Sequence, residues 1–247
     1  MILWVYTVLL IFTFVNILIP ISGTVTVTPL LALLTDPHSA IGLASFYFAI
    51  GSTIRAIIFW KNIKWKIVKE FLLISIIGAA IGAFALIKIN PNLVLFIILL
   101  FLLFFFYKRI RKEEKGKESI LIKKLKPAGN YFFGGLSGFL QGTGLAGSDL
   151  RNGYLYSKGL NLSEVHGTTA IVGASNFLVA TAVRLYTDQL TIHSLTPILY
   201  LIPLILVATL IGKFTLNKIS KEFTDKLILF IMVLMAILLI LKLIRII

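Results

Sequence analysis

The chain has 247 residues, of which 58% are hydrophobic and only 14% are charged, and it contains no cysteine. Charged residues make up about 25% of a typical soluble domain, so this composition indicates an integral membrane protein. The absence of cysteine excludes disulfides, thiolate metal sites and sulfur transfer through a cysteine. The net charge of +14 resides mostly in short loops between apolar runs, where basic residues orient membrane helices. We therefore expect the lipid bilayer, and no nucleic acid, as a partner.

The first half of the chain contains several apolar runs long enough to cross about 30 Å of hydrocarbon. Residues 1–20 form the first run. This run has no basic start and no small-residue cleavage site, so we expect it to be retained and not removed as a signal peptide. It is interrupted at Ile21, Ser22 and Gly23 and then resumes as far as residue 34. Three further spans are predicted over residues 39–60, 67–87 and 92–107.

The longest polar stretch covers residues 108–126 and carries nine basic and three acidic residues. Such a charge run is typical of a solvated segment. We predict that it is a cytoplasmic linker between two transmembrane repeats, residues 1–107 and 127–247. The second repeat begins with a glycine-broken segment, residues 128–159, and continues with three spans over residues 162–186, 192–212 and 223–244.

The second half therefore repeats the order of the first, which predicts an all-α, polytopic membrane protein built from two repeats. Residues 128–142 would extend only roughly 22 Å as a helix, which is short for a full crossing. A broken, re-entrant hairpin followed by three transmembrane helices gives each half three crossings and the two halves inverted topology. This arrangement also gives a larger excess of Lys and Arg on one side than full crossings of the broken segments, the alternative that stays open. It places both termini outside.

The glycine-rich stretch at residues 134–151 reads G-G-L-S-G-F-L-Q-G-T-G-L-A-G-S-D-L-R. Glycine inside a helix costs about 1 kcal/mol relative to alanine, so Gly142 and Gly144 predict a broken helix. Within a bilayer, a broken backbone is tolerated where it is buried in protein or lines a cavity. A break at the same point in each of two repeats predicts a transporter site at the repeat interface.

We predict a binding site for a small anion where the two breaks meet. Free backbone N–H groups and hydroxyls at two helix starts would attract an anion through hydrogen bonds and the helix dipole. The residues concerned are Ser22, Gly23, Thr24, Gly142, Thr143 and Gly144. Three side chains complete the set: Ser45, Asn176 and Arg151. Two alternatives stay open, that Arg151 extends to the membrane interface and that the small hydroxyl residues only pack helices together.

The sequence predicts neither an enzyme nor a cofactor site, because it has no metal-binding cluster, nucleotide-binding loop or G-x-S-x-G motif. A cation permease is disfavoured because hard cations need anionic oxygen ligands, and the apolar spans offer no prominent carboxylate. The alternative from another class is a non-transporting membrane scaffold or assembly factor. Such a protein would dock a partner or anionic lipid headgroups through the basic residues 108–126.

The glycine break, its repetition and the helices that follow resemble the sulfite exporter TauE/SafE family, also called the 4-toluene sulfonate uptake permeases. Each half of that family typically has a G-x-G-G-G stretch, then a proline, then a helix start similar to Ala-Gly-Thr-Ser. Here residues 142–146 read G-T-G-L-A with Arg151 at the proline position, and residues 20–24 read P-I-S-G-T with Pro29 in place. The following helix starts read E-V-H-G-T-T from Glu164 and S-A-I-G-L-A-S from Ser39. The resemblance implies transport of sulfite, sulfate or organosulfonates across the plasma membrane of a prokaryote by alternating access.

Overall fold

The computed structural model describes residues 24–110, 128–145, 147–215 and 221–244. These residues form ten α-helices and a short 3₁₀ helix, Trp60–Asn62, which confirms the all-α prediction. The helices are, in chain order, α1 Thr24–Leu34, α2 Pro37–Ile58, α3 Trp65–Ile87, α4 Pro91–Ile110, α5 Ala128–Gly142, α6 Gly147–Ser157, α7 Leu162–Tyr186, α8 Ile192–Leu199, α9 Ile202–Thr215 and α10 Lys221–Leu243.

Three of these helices, α2, α3 and α7, are individually long and apolar enough to cross a membrane. A fourth span is formed if the bent pair α8 and α9 is taken as one. Shorter apolar stretches lie within α4 and α10, over Pro91–Phe104 and Leu229–Leu243. Apolar side chains on these helices are exposed on the outer surface, for example Leu73, Phe104 and Phe230. Exposed side chains of this kind suit contact with lipid, and the chain is a membrane protein.

The helix ends follow the predicted spans closely, with local reasons for the differences. Helix α2 begins at Pro37 because Asp36 caps it, accepting hydrogen bonds of 3.0 Å from the N–H groups of His38 and Ser39. Burial raises the pKa of the Asp36 carboxyl, but hydrogen bonds from Ser39 and His38 outweigh burial, so this pKa lies below its ordinary value. Helix α4 continues to Ile110, three residues into the predicted linker.

Several predictions fall on residues outside the described ranges. These are the first apolar run at residues 1–20, the interruption at residues 21–23, and the rest of the linker at residues 111–126. The division into repeats at residues 107 and 127 therefore stays a prediction, as does the inverted orientation of the halves.

The span predicted over residues 192–212 is bent, because the structure has two helices there. Helices α8 and α9 meet at an angle of 46°. Pro203 has no N–H to donate, and its ring would clash with the carbonyl of residue 199 in a continuous helix. The N–H of Leu201 instead donates to Ile198 at 3.0 Å, and the N–H of Ile205 donates to Leu201 at 2.8 Å to begin the next turn.

The closest helix pairing is between α3 and α5, whose backbones touch through glycines. A Cβ atom added to Gly138 would lie 2.0 Å from the carbonyl oxygen of Ser75, and one added to Gly82 would lie 2.2 Å from that of Phe139. Small residues allow membrane helices to approach in this way, where dispersion forces replace the hydrophobic effect. Much of the glycine in residues 134–142 is therefore required by packing.

At the centre of the bundle, α2 packs against α7, and α7 also packs against α3. Helix α4 packs against α10, and α1 lies against α2, α4 and α10. In the predicted duplication, α7 is the counterpart of α2 and α10 is the counterpart of α4. Both α2 and α4 pack on the helix that this prediction assigns as their counterpart. This pairing is the arrangement that a duplicated unit related by a two-fold axis would give.

Candidate functional site

The predicted break in the second half lies between α5 and α6. Helix α5 ends at Gly142, and the chain turns at Gly144, whose φ of +79° is in the left-handed region that favours glycine. The N–H of Leu145 donates to the carbonyl of Leu140 at 2.8 Å, and that of Gly144 donates to Gln141 at 3.0 Å. These paired bonds form a Schellman motif, a common way to end a helix.

The expectation of free N–H groups at Thr143 and Gly144 is wrong. The N–H of Thr143 donates to the carbonyl of Phe139 at 3.0 Å, and its hydroxyl donates to Leu140 at 2.8 Å. The N–H of Gly144 is used in the Schellman motif. This stretch closes the end of α5 and does not open a new helix, so hydrogen-bond donors for an anion have to come from elsewhere.

A small cavity joins the two halves of the chain beside this break. It has room for about one water molecule. The first half lines the cavity with residues of two helices, α1 (Thr24, Thr28 and Pro29) and α4 (Ile98, Phe101 and Leu102). The second half contributes Gly144 and Leu145. The start of α1 thus lies close to the break after α5. The buried hydroxyl oxygen of Thr28 has no hydrogen-bond partner within the described ranges.

Arg151 lies in the interior and does not extend to the membrane interface, so that alternative is wrong. Its side chain is only 1% exposed. One guanidinium nitrogen, Nη1, donates to Oε1 of Gln141 at 3.0 Å, and Nη2 lies 3.4 Å from the carbonyl oxygen of Thr169. The same Gln141 oxygen accepts from Nδ2 of Asn176 at 2.6 Å, and this amide also donates to Ser75 at 2.7 Å. The network joins α3, α5, α6 and α7.

A second buried arginine, Arg184 near the end of α7, contacts the same break. Its Nη2 donates to the carbonyl of Gly142 at 2.6 Å, and its Nη1 donates to Ala180 at 3.0 Å. A cation at a helix C-terminus satisfies carbonyls that have no partner within the helix and interacts favourably with the helix dipole. Neither Arg184 nor Gln141 was among the predicted site residues. Arg184 could have been predicted, because an arginine inside an apolar span is a candidate functional residue. Gln141 has no comparable signal in the sequence.

The remaining predicted residues have separate outcomes. Ser45 is buried, and its hydroxyl donates to the carbonyl of Ile41 within α2 at 2.7 Å, as a packing residue would. Gly142 packs against α3, where a Cβ atom would lie 2.1 Å from the carbonyl oxygen of Ala79. Ser22 and Gly23 lie outside the described residues. The structure therefore brings Thr24 and Gly144 together at the cavity, and Arg151 and Asn176 together in the polar network.

The electrostatic character of this region is positive. Over the part of the chain that the structure describes, the ion pair found is Lys64 with Glu164 at 2.6 Å, near the starts of α3 and α7. Neither Arg151 nor Arg184 has a carboxylate within ion-pair distance in these ranges. The described residues also contain no cluster of three or more side chains suited to a metal ion. The guanidinium groups of Arg151 and Arg184 donate to successive residues of α5, Gln141 and Gly142. Together they make this part of the interior attractive to anions.

Comparison with protein families gives one match, the sulfite exporter TauE/SafE family, over residues 5–239. This chain belongs to the sulfite exporter TauE/SafE family. The match covers nearly the whole chain and confirms the resemblance seen in the glycine breaks. No curated protein and no solved structure matches the chain. TauE/SafE proteins are membrane transporters of sulfur-containing anions and not enzymes.

Proposed function

We propose that this TauE/SafE protein is a secondary transporter that moves sulfite, sulfate or an organosulfonate by alternating access. The observation that carries the proposal is the shared cavity, which Thr24 lines from the first half and Gly144 from the second. In many transporters built from two repeats, the substrate binds between discontinuous helices at the repeat interface. Of the predicted substrate-binding residues, the proposal keeps Thr24 and Gly144 as cavity lining and Arg151 as the cation, with Asn176 beside it in the polar network. It adds Gln141 and Arg184, the partners of Arg151 and Gly142.

The charges beside the break favour an anionic substrate. Arg151 and Arg184 are buried, and both donate hydrogen bonds to the last turn of α5. A buried charge without a partner is costly, so an incoming anion would supply the countercharge that the described residues do not. Of the described residues that line the cavity, none is acidic, which removes the repulsion that a carboxylate would exert.

The size of the cavity favours a mechanism in which the halves move. A space for about one water molecule is too small for sulfite, with its three oxygen atoms. Rocking of one repeat against the other would open this space to each side in turn. In this proposal the protein lies in the plasma membrane of a prokaryote, with residues 108–126 in the cytoplasm and both termini outside, as the distribution of Lys and Arg favours.

Flux through purified protein in liposomes tests the proposal. Liposomes that contain the protein are loaded with sulfite, sulfate or an organosulfonate. Their initial efflux rate is compared with that of protein-free liposomes of the same lipid composition, loaded in the same way. We expect at least one of these anions to leave faster when the protein is present. The transport function would be refuted if all three anions left at the rate seen in protein-free liposomes. This result counts only if the inserted protein is folded and present in both orientations.

A further inference from the structure

Gly173 lies near the middle of α7, and the space left by its missing side chain faces three hydrogen-bonding groups. A Cβ atom added there would lie 3.4 Å from Oγ of Ser52, 3.5 Å from Nη2 of Arg151 and 3.9 Å from Nε2 of Gln141. These groups come from α2, α6 and α5. We refer to the four residues together as the Gly173 niche. The niche draws on both halves of the chain at mid-depth in the bundle.

One donor that faces the Gly173 niche is buried without an acceptor. Gln141 is 0% exposed, and its Nε2 has no hydrogen-bond partner within the described ranges. Nε of Arg151 also has none there, although the Arg151 atom nearest Gly173 is Nη2. A buried donor left without a partner destabilises a protein by about 1–3 kcal/mol. The acceptor of the same network that lacks a partner, Oδ1 of Asn176, is not among the atoms nearest Gly173. What the niche lacks is therefore an acceptor.

The charge of the niche specifies what kind of acceptor would fit. The guanidinium of Arg151 has no carboxylate within ion-pair distance over the described ranges. Hydrogen bonds from a guanidinium to an anionic oxygen are shorter and about twice as strong as neutral ones. A small oxyanion, which has several oxygen acceptors and no obligatory donor, matches a site of one cation, one amide N–H group and one hydroxyl.

We propose that the Gly173 niche, once movement of the two halves has widened it, is the binding site in which the transported oxyanion is held by Arg151, Gln141 and Ser52. This inference rests on the proposed function and assigns the substrate to a position distinct from the cavity beside Gly144. The cavity then belongs to the path that leads to the niche. Ser75 and Asn176 are positioning residues, because they hold the Gln141 side chain so that its N–H group faces the niche.

Gly173→Ala is the decisive variant. The added methyl group would have neighbours at 3.4–3.9 Å, which is ordinary van der Waals contact, so we expect the fold to be kept while the niche is filled. Gly51→Ala on α2 is the matched control, because its Cβ atom would lie 3.8 Å from Ile205 and away from the niche atoms. The melting temperature of each detergent-solubilised protein is measured with sulfite, with sulfate, with an organosulfonate and with chloride. A ligand that binds the folded state raises this temperature.

We expect an oxyanion to raise the melting temperature of the parent and of Gly51→Ala, and chloride to have no effect. Gly173→Ala should melt at the parental temperature without the oxyanion and lose the shift. If Gly173→Ala destabilises the protein, Ser52→Ala replaces it as the test, since loss of one hydrogen bond should weaken oxyanion binding roughly five- to tenfold.

The outcomes separate this inference from the proposed function. If the parent transports an anion, and Gly173→Ala and Ser52→Ala bind and transport it as the parent does, the niche assignment is overturned and the transport function stands. A parent that transports an anion without any anion-dependent shift also overturns the niche assignment. A shift that disappears in Gly173→Ala, in protein that moves none of the anions, supports the niche as an anion site and refutes transport.

Discussion

Two buried arginines act on adjacent residues of one helix end. Arg151 donates to the side chain of Gln141, and Arg184 donates to the backbone carbonyl of Gly142. A charge at the centre of a membrane helix costs about 2.5–3.5 kcal/mol even on insertion scales, and each of these side chains donates to two acceptors. The sequence could predict Arg151, because it follows a glycine break. It could not predict Gln141 or the contact of Arg184 with Gly142, because these depend on how separate helices cross.

We predict that Arg184→Gln destabilises the protein by about 1–3 kcal/mol, because the shorter side chain leaves the carbonyl of Gly142 without its donor. The free energy of unfolding is measured in detergent by denaturant titration. Lys213→Gln is the control: Lys213 also donates to a carbonyl, that of Ile58 at 3.1 Å, but it is exposed to solvent or lipid, so the change should be below about 0.5 kcal/mol. Equal effects of the two substitutions would show that burial of the arginine is unimportant.

At the scale of the helix, the glycines of α5 have two different functions, and the sequence predicted only one. Their density predicted that the helix would break, and it does so after Gly142. The sequence did not show that glycines such as Gly138 lie against the backbone of α3, because this contact depends on tertiary packing. It also did not show that the break is a helix end whose N–H groups are already bonded, since this depends on the positive φ of Gly144.

We predict that Gly138→Ala destabilises the α3–α5 pair by about 1–3 kcal/mol, because a Cβ atom would lie 2.0 Å from the carbonyl oxygen of Ser75. Gly153→Ala in α6 is the control, since nothing lies within 4 Å of its Cβ position. At that site alanine should be neutral or should stabilise the helix by up to about 1 kcal/mol. Melting temperatures in detergent report both changes. A Gly138→Ala protein as stable as Gly153→Ala would contradict the close pairing.

At the scale of the whole molecule, the all-helical fold and its long apolar helices were predictable, because the length of an apolar run is a local property of the sequence. The bend between α8 and α9 has a local cause in Pro203, which interrupts a helix, whereas the length of the apolar run predicts only that the segment spans. The proximity of Thr24 and Gly144 was expected only because the sequence predicted a duplication, which itself stays a prediction. The polar network around Asn176 required coordinates, since it joins three consecutive helices, α5, α6 and α7, to the distant helix α3.

In the proposed mechanism, anions pass through the space where the two halves meet beside Gly144. The most direct test is the initial rate of sulfite efflux from liposomes that contain equal amounts of folded parent, Gly144→Ala or Gly159→Ala. Both glycines have positive φ, +79° and +84°, but a Cβ atom at Gly144 would lie 2.4 Å from Ile41, whereas Gly159 has nothing within 4 Å of its Cβ position. We predict at least a tenfold lower rate for Gly144→Ala, equivalent to about 1.4 kcal/mol or more in the transport barrier, and a near-parental rate for Gly159→Ala. A parental rate for Gly144→Ala, or an equal loss in both variants, would contradict the account.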